Sequence, residues 1–243
     1  MTAVVIGASS GLGRALALEL ARAGNALLLV ASDPRDLAAE AADLTLRFGV
    51  QVEVVAIDLA TCGDPAAMLK PVLERLPAPT ALLLPVGMSR SDDNGSLAAS
   101  AIGPLLAINL HAPLGIMQGL LPALLESRGV VVGFGSIAAA RGRNRNRVYA
   151  AAKRGLESCF ESLRHAHPPQ TLRVQFYRLG FMRSNLTFGQ RLPLPAADPA
   201  RIARRVVGNL ARGSFTVHQP RWWGLIRLIV RALPWPVFRR MRD

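Results

Sequence analysis

Short, nearly continuous apolar runs recur along this chain. Between them lie stretches in which apolar residues return every three or four positions. The runs are TAVVIGA (Thr2–Ala8), NALLLVA (Asn25–Ala31), VEVVAID (Val52–Asp58), TALLLPV (Thr80–Val86), GVVVGFG (Gly129–Gly135) and LRVQFYRL (Leu172–Leu179). Val/Leu/Ile runs without polar alternation predict strands buried on both faces, as in a parallel sheet covered by helices. The intervening spacing predicts helices over Gly11–Ala23, Arg35–Arg47 and, longest, about Gly103–Glu126. Right-handed crossovers then give an α/β fold, a Rossmann-like doubly wound parallel sheet of about seven strands with helices on both faces. No repeat, low-complexity tract or linker interrupts the pattern, so one domain is expected over 1–220 and a basic amphipathic C-terminal tail over 221–243.

Composition agrees: 243 residues, 51% hydrophobic and 19% charged, suit a packed core and exclude a disordered chain. Cys62 and Cys159 have neither metal-ligand nor CxxC spacing, so no metal is expected and a reducing compartment suits them. MTAVVIGASS lacks a basic segment before an apolar stretch, so no signal peptide is expected. No uncharged apolar run is expected to approach the roughly 18 residues of a spanning helix. The expectation is a cytoplasmic protein, soluble or peripheral at the inner face of the membrane.

Charge changes this picture at one end. The net charge is +13, and ten arginines (201, 204, 205, 212, 221, 227, 231, 239, 240 and 242) face one acid, Asp243, after residue 200. Such a tail suggests a nucleic acid, an anionic membrane or an acidic substrate. Nucleic acid is set aside, because no interleaved aromatics or recognition-helix motif accompany the charge.

Candidate chemistry gathers at strand ends. The first strand-to-helix turn, GASSGLG, carries Gly7, Ser9, Ser10, Gly11, Leu12 and Gly13, and such turns approach a pyrophosphate at a helix N-terminus. Asp58 and Leu59 follow the third strand, Gly87 the fourth, Ser136 the fifth and Gly180 the sixth, while Tyr149 opens the next helix. Ligands of such sheets bind beyond the carboxyl ends of the strands. Asn109, amid LLAINLHAPL, needs hydrogen-bond partners if buried. Tyr149 and Lys153 lie one helical turn apart, where an ammonium is expected to lower the phenol's pKa. On spacing alone, a surface tyrosine and lysine with a loop serine stays open.

The ordered set GxxxGxG, Asn109, Ser136 and Tyr149-xxx-Lys153 resembles the short-chain dehydrogenase/reductase family from Thr2 to about Thr187. The resemblance implies an NAD(P)(H)-dependent oxidoreductase acting on a carbonyl or secondary alcohol, and a homo-oligomer. By it, Tyr149 is the general acid/base, Ser136 orients the carbonyl, Lys153 binds the nicotinamide ribose, Asn109 holds a relay water and Asp58 contacts the adenine. The chain departs from the family's Asn-Ala-Gly at Pro85-Val86-Gly87 and from its Pro-Gly at Leu179-Gly180. A catalytically silent cofactor-binding regulator on the same fold is the alternative; the intact Asn109, Ser136, Tyr149 and Lys153 speak against it.

After the second strand comes ASDPRDL. Ser32 stands where an acid would grip ribose hydroxyls, with Arg35 and Arg14 as candidates for a 2′-phosphate. NADP(H) is favoured over NAD(H), and Asp33 keeps the second choice open. In Arg221–Arg240, Trp223, Ile226, Ile229, Val230 and Leu233 form one stripe and Arg227 and Arg231 another. A helix at an anionic membrane surface fits this, and so does one covering a neighbouring subunit or the substrate cleft. The tail and RGRNRNRVYAAAKRGLE are similar to a subgroup that includes the keto-reductase subunit of decaprenylphosphoryl-ribose 2-epimerase, which implies a lipid-linked carbonyl substrate. Arginines 141, 143, 145 and 147 then either meet a phosphate or form a solvated loop.

Overall fold

Each apolar run becomes a strand: β1 (Thr2–Ile6), β2 (Ala26–Ala31), β3 (Val52–Ala56), β4 (Pro79–Leu84), β5 (Val130–Ser136) and β6 (Arg173–Leu179). A seventh, β7 (Phe215–Gln219), joins the edge beside β6. The computed structural model describes residues 1–9, 11–183 and 194–241; Ser10, Thr187, Arg242 and Asp243 of the sequence reading lie outside them. All pairings are parallel, in the order β3-β2-β1-β4-β5-β6-β7. The sheet is the expected seven-stranded, Rossmann-like one.

Alternation along the strands sends side chains to two cores. Ala3, Val5, Leu27, Leu29, Leu83 and Val132 face α1 (Gly11–Arg22), α2 (Pro34–Phe48) and α7 (Pro199–Val207). Val4, Ile6, Leu28, Leu82, Leu84 and Val131 face α3 (Pro65–Leu73), α5 (Ala112–Glu126) and α6 (Arg147–Ala166). β1 pairs with β2 on one side and β4 on the other, so strand order reverses there. A crevice opens at the carboxyl ends beside such a switch point.

The longest helical stretch begins earlier than its spacing predicts and is not uniform. α4 (Ala99–Leu106) runs into a π-helical turn at Ala107–His111 and then α5. The span Ala99–Glu126 has 28 residues, and an 18-residue stretch of it reaches a mean hydropathy of 1.4, which corrects the expectation that no apolar run approaches a membrane-spanning length. A core helix passes the same test of length and composition. Leu105, Ile116, Leu120 and Leu124 are buried, the last three in the core formed with β4 and β5. Two further helices, α8 (Trp223–Ala232) and α9 (Trp235–Phe238), form the tail.

Candidate active site

The glycine turn is built by two separate constraints. Gly7 has φ +91°, and a Cβ there would lie 2.8 Å from the Cα of Val86 on the neighbouring strand's extension. At Gly13 a Cβ would lie 1.9 Å from the Gly7 carbonyl oxygen, so α1 can approach the turn only as glycine. Gly7, Ser9, Gly11 and Leu12 line a cleft of about 670 Å³, within the roughly 300–1,000 Å³ of small-molecule sites. Gly13 belongs to the same turn through its packing against the Gly7 carbonyl, behind the residues that line the cleft. The same cleft is bounded by Ser32, Asp58, Leu59, Gly87, Ser136, Tyr149, Lys153 and Gly180. Asp58 also closes its own turn by accepting from the Ala60 N–H at 2.9 Å. Close backbone approach and the free N–H groups of α1 are what a dinucleotide pyrophosphate needs, so these residues fit a nicotinamide dinucleotide.

Around Ser32 the charges are already paired. Asp33 caps α2, accepting from the backbone N–H groups of Arg35 (2.8 Å) and Asp36 (3.4 Å), and these bonds hold its carboxyl below the usual value. Arg35 is almost fully exposed, 3.6 Å from the Asp33 carboxylate, and is not part of the cleft wall. The turn into α2 directs its side chain to solvent. Arg14 lies 4.0 Å from Asp36 and 3.6 Å from buried Glu40, whose carboxyl is pushed up to about 7 by burial.

The chemical end assembles from four elements. Asn109 sits in the π turn and is fully buried. Its Nδ2 donates to the carbonyls of Leu105 (2.9 Å) and Met88 (2.8 Å), and its Oδ1 accepts from the Met88 N–H (3.1 Å). The side chain thereby serves a helix carbonyl where the widened turn departs from α-helical bonding. Lys153 is 3% exposed and its Nζ donates to the Val86 carbonyl at 2.9 Å. A Cβ on Gly87 would lie 3.3 Å from both Lys153 Nζ and Asn109 Oδ1, so the three positions converge. Ser136 Oγ accepts from the Ala138 N–H at 3.2 Å and is hydrogen-bonded to the Tyr149 phenol.

Burial decides both pKa directions. It lowers Lys153 to about 8, with a carbonyl and no carboxylate as its bonded partner. It also raises the Tyr149 phenol above its usual value, against a smaller lowering by the Ser136 bond. The sequence expectation of a lowered Tyr149 is therefore corrected: desolvation sets the direction, and the opposing influence is the Ser136 bond, not the Lys153 ammonium.

The cleft is also lined by Arg90, Arg143, Arg145, Asn146, Phe181 and Met182. Arg90 and Phe181 were not anticipated from the sequence, although both follow closely on strand ends. Of the four loop arginines, Arg143 and Arg145 reach the cleft. Arg147 bonds Asn144, and Arg141 turns to the tail, donating to the carbonyls of Val230 (3.0 Å) and Leu233 (2.5 Å) and lying 4.1 Å over the Phe238 ring. Trp223 is buried edge-on against Phe181, and Arg227 meets Glu157 at 3.1 Å beside Arg178. The predicted apolar stripe is thus divided: Trp223 faces in with Arg227, while Ile229 faces out with Leu225 and Leu228. Ile226, Val230 and Leu233 of the stripe are half-buried, so Ile229 is its one exposed member.

These features meet in the comparisons with known proteins. The short chain dehydrogenase family profile matches residues 1–192. An uncharacterized oxidoreductase of Mycobacterium tuberculosis is 32% identical over 244 residues, spanning 98% of this chain and 96% of its own. A Sphingobium yanoikuyae short-chain dehydrogenase in complex with NADPH superposes with a TM-score of 0.82 at 24% identity, covering 100% of this chain and 96% of that one. A Shigella flexneri short-chain dehydrogenase complexed with NADP gives 0.81 at 25% identity, covering 90% and 96%. The chain belongs to the short-chain dehydrogenase/reductase family.

Proposed function

We propose that this protein is an oxidoreductase that moves hydride between NADP(H) and a carbonyl or secondary alcohol. The observation that carries the proposal is the convergence of Ser136, Tyr149, Lys153 and the Asn109-held backbone beside the glycine-turn cleft. A bound nicotinamide supplies or accepts the hydride at the carbonyl carbon. Tyr149, kept protonated by burial, gives its proton to the carbonyl oxygen in reduction. The Ser136 hydroxyl steadies that oxygen as charge develops. The Lys153 ammonium, present below about pH 8, favours the phenolate that Tyr149 becomes. Both Asn109 amide hydrogens are engaged, so Asn109 fixes the Met88 backbone and leaves an Oδ1 lone pair for a relay water.

NADP(H) is favoured because Asp33 is occupied as a cap, leaving Ser32 at the cleft wall. Nicotinamide-fluorescence titration tests this, with Ser32→Asp alongside. NADPH is expected to bind the unmutated protein about tenfold more tightly than NADH, or about 1.4 kcal/mol, and the variant to reverse that order. Tighter NADH binding by the unmutated protein overturns the NADP preference; binding of neither removes the enzyme reading.

The tail directs the substrate choice toward an amphiphile at a membrane surface, as its similarity to the lipid-linked subgroup does. Leu225 (63% exposed), Leu228 (66%) and Trp235 (62%) point outward among Arg221, Arg231, Arg239 and Arg240. Apolar side chains entering the acyl boundary with guanidinium groups at the headgroups suit an anionic bilayer, at roughly 1 kcal/mol per basic residue. Cosedimentation with phosphatidylglycerol-containing vesicles, but not with phosphatidylcholine alone, is expected, and Leu225→Ser/Leu228→Ser should abolish it. A double variant that loses self-association, from a parent that binds neither vesicle, would instead make the face a contact between copies of a homo-oligomer.

A further inference from the structure

α6, which carries Tyr149 and Lys153, has no cap of its own. Asn146 precedes it at φ +58° and makes no side-chain capping bond. A helix start leaves four N–H groups without intrahelical partners. Here one distant residue, Asp93, accepts from all four. Its backbone carbonyl takes the N–H of Asn146 (2.5 Å) and Arg147 (3.4 Å); its Oδ1 takes Val148 (3.0 Å) and its Oδ2 Tyr149 (3.0 Å). Asp93 is 1% exposed, so this is a buried carboxylate whose charge is answered by the catalytic helix itself.

The segment leading to Asp93 holds the rest of the catalytic group. Val86 offers its carbonyl to Lys153 Nζ, and Met88 bonds the Asn109 amide through both its N–H and its C=O. Gly87 lies between them with no room for a larger residue that leaves Asn109 Oδ1 and Lys153 Nζ in place. Val86–Asp93 therefore touches Lys153, Asn109 and Tyr149 in turn. This stretch is where the chain departs from the family's Asn-Ala-Gly.

We propose that Asp93 is the positioning residue for Tyr149, and that Val86–Asp93 is the strap that fixes the spacing of Tyr149, Lys153 and Asn109. The proposal rests on the reading of Tyr149 as proton donor. A carboxylate bridging two successive amides fixes the first turn of α6 in position and rotation, and hence the direction in which the phenol leaves it. Small misplacements of a reacting group cost much of its contribution.

The test is a double-mutant cycle with NADPH and phenanthrenequinone as an activated carbonyl probe. Asp93→Asn keeps the side chain's volume but turns an amide N–H₂ toward a backbone N–H. It is expected to lower kcat by about ten- to hundredfold. NADPH affinity should stay within about twofold, because the glycine turn is untouched. In a Tyr149→Phe background the same change is expected to cause no further loss of the residual rate. Hydrogen exchange at the Val148 and Tyr149 amides should accelerate in step. An unchanged kcat in Asp93→Asn overturns the proposal. So does an equal fractional loss in both backgrounds, which would make Asp93 a support of the fold alone. Full activity of Tyr149→Phe removes the reading beneath it, a result distinguishable because Asp93→Asn is then compared with an active parent. If Asp93→Asn fails to fold, Asp93→Ser, with a single short acceptor, enters the same cycle.

Discussion

Phenylalanine at position 149 is expected to lower kcat by about 10²–10⁴-fold while NADPH affinity changes by no more than about threefold. The ring and its packing survive; the proton and the bond to Ser136 do not. Stopped-flow turnover at saturating cofactor, paired with fluorescence titration, separates the two quantities. Reduction by the unmutated protein should be flat through neutral pH, because burial holds the phenol protonated there, and should decline as pH rises through about 8, where Lys153 gives up its charge. Unchanged turnover of a good substrate by Tyr149→Phe would reinstate a cofactor-binding regulator with no catalysis.

Methionine at position 153 is expected to remove activity by about three orders of magnitude yet leave the fold as stable at pH 7 or more so. Lys153 is charged in a buried place that lowers it from 10.5 to about 8. That difference corresponds to roughly 3 kcal/mol against the charged form. Loss of the Val86 bond returns about 1–2 kcal/mol of this, leaving a net gain on the order of 1 kcal/mol. The sign follows from linkage: between about pH 8 and 10.5 the unfolded chain binds the proton and the folded one does not, so the unmutated protein gains stability as pH rises across that window. The advantage of Lys153→Met should therefore be greatest below pH 8 and fade toward 10.5. Thermal melts at pH 7 and pH 10 check it, and a much lower melting temperature for the variant at pH 7 would contradict the account. An ion kept where it weakens the fold is the usual mark of a group retained for chemistry.

Six strands were legible because β1, β2, β4, β5 and β6 are interior and leave continuous apolar runs, and β3, although at one edge of the sheet, keeps a valine-rich run of its own. β7 was expected in number but not located: as an edge strand, SFTVHQ is only partly buried and keeps Thr216 and His218, so no such run marks it. Asn109, Ser136, Tyr149 and Lys153 were legible as an ordered set. The π turn was foreshadowed only by a polar residue in an apolar helix. The direction of the Tyr149 pKa was misjudged because proximity of charge is visible in spacing and burial is not. Asp93 was missed for a similar reason. SDDNG reads as an ordinary turn, and its meeting with the start of α6 comes entirely from the crossover between β4 and α6. The inward placement of Arg227 was not legible either, because its partner Glu157 lies in α6, far away in sequence.

The pairing of β1 also bears on how the chain acquires its shape during synthesis. β1 is an interior strand, flanked by β2 and β4, and is the earliest of the seven along the chain. It can pair with β2 early, but its other edge waits for β4, which begins at Pro79. Until then Val4, Val5 and Ile6 present an unpaired apolar edge, the kind that templates association with other chains. A ribosome-bound fragment ending before Pro79 should accordingly be the most chaperone-dependent intermediate, and one extending past Leu84 much less so.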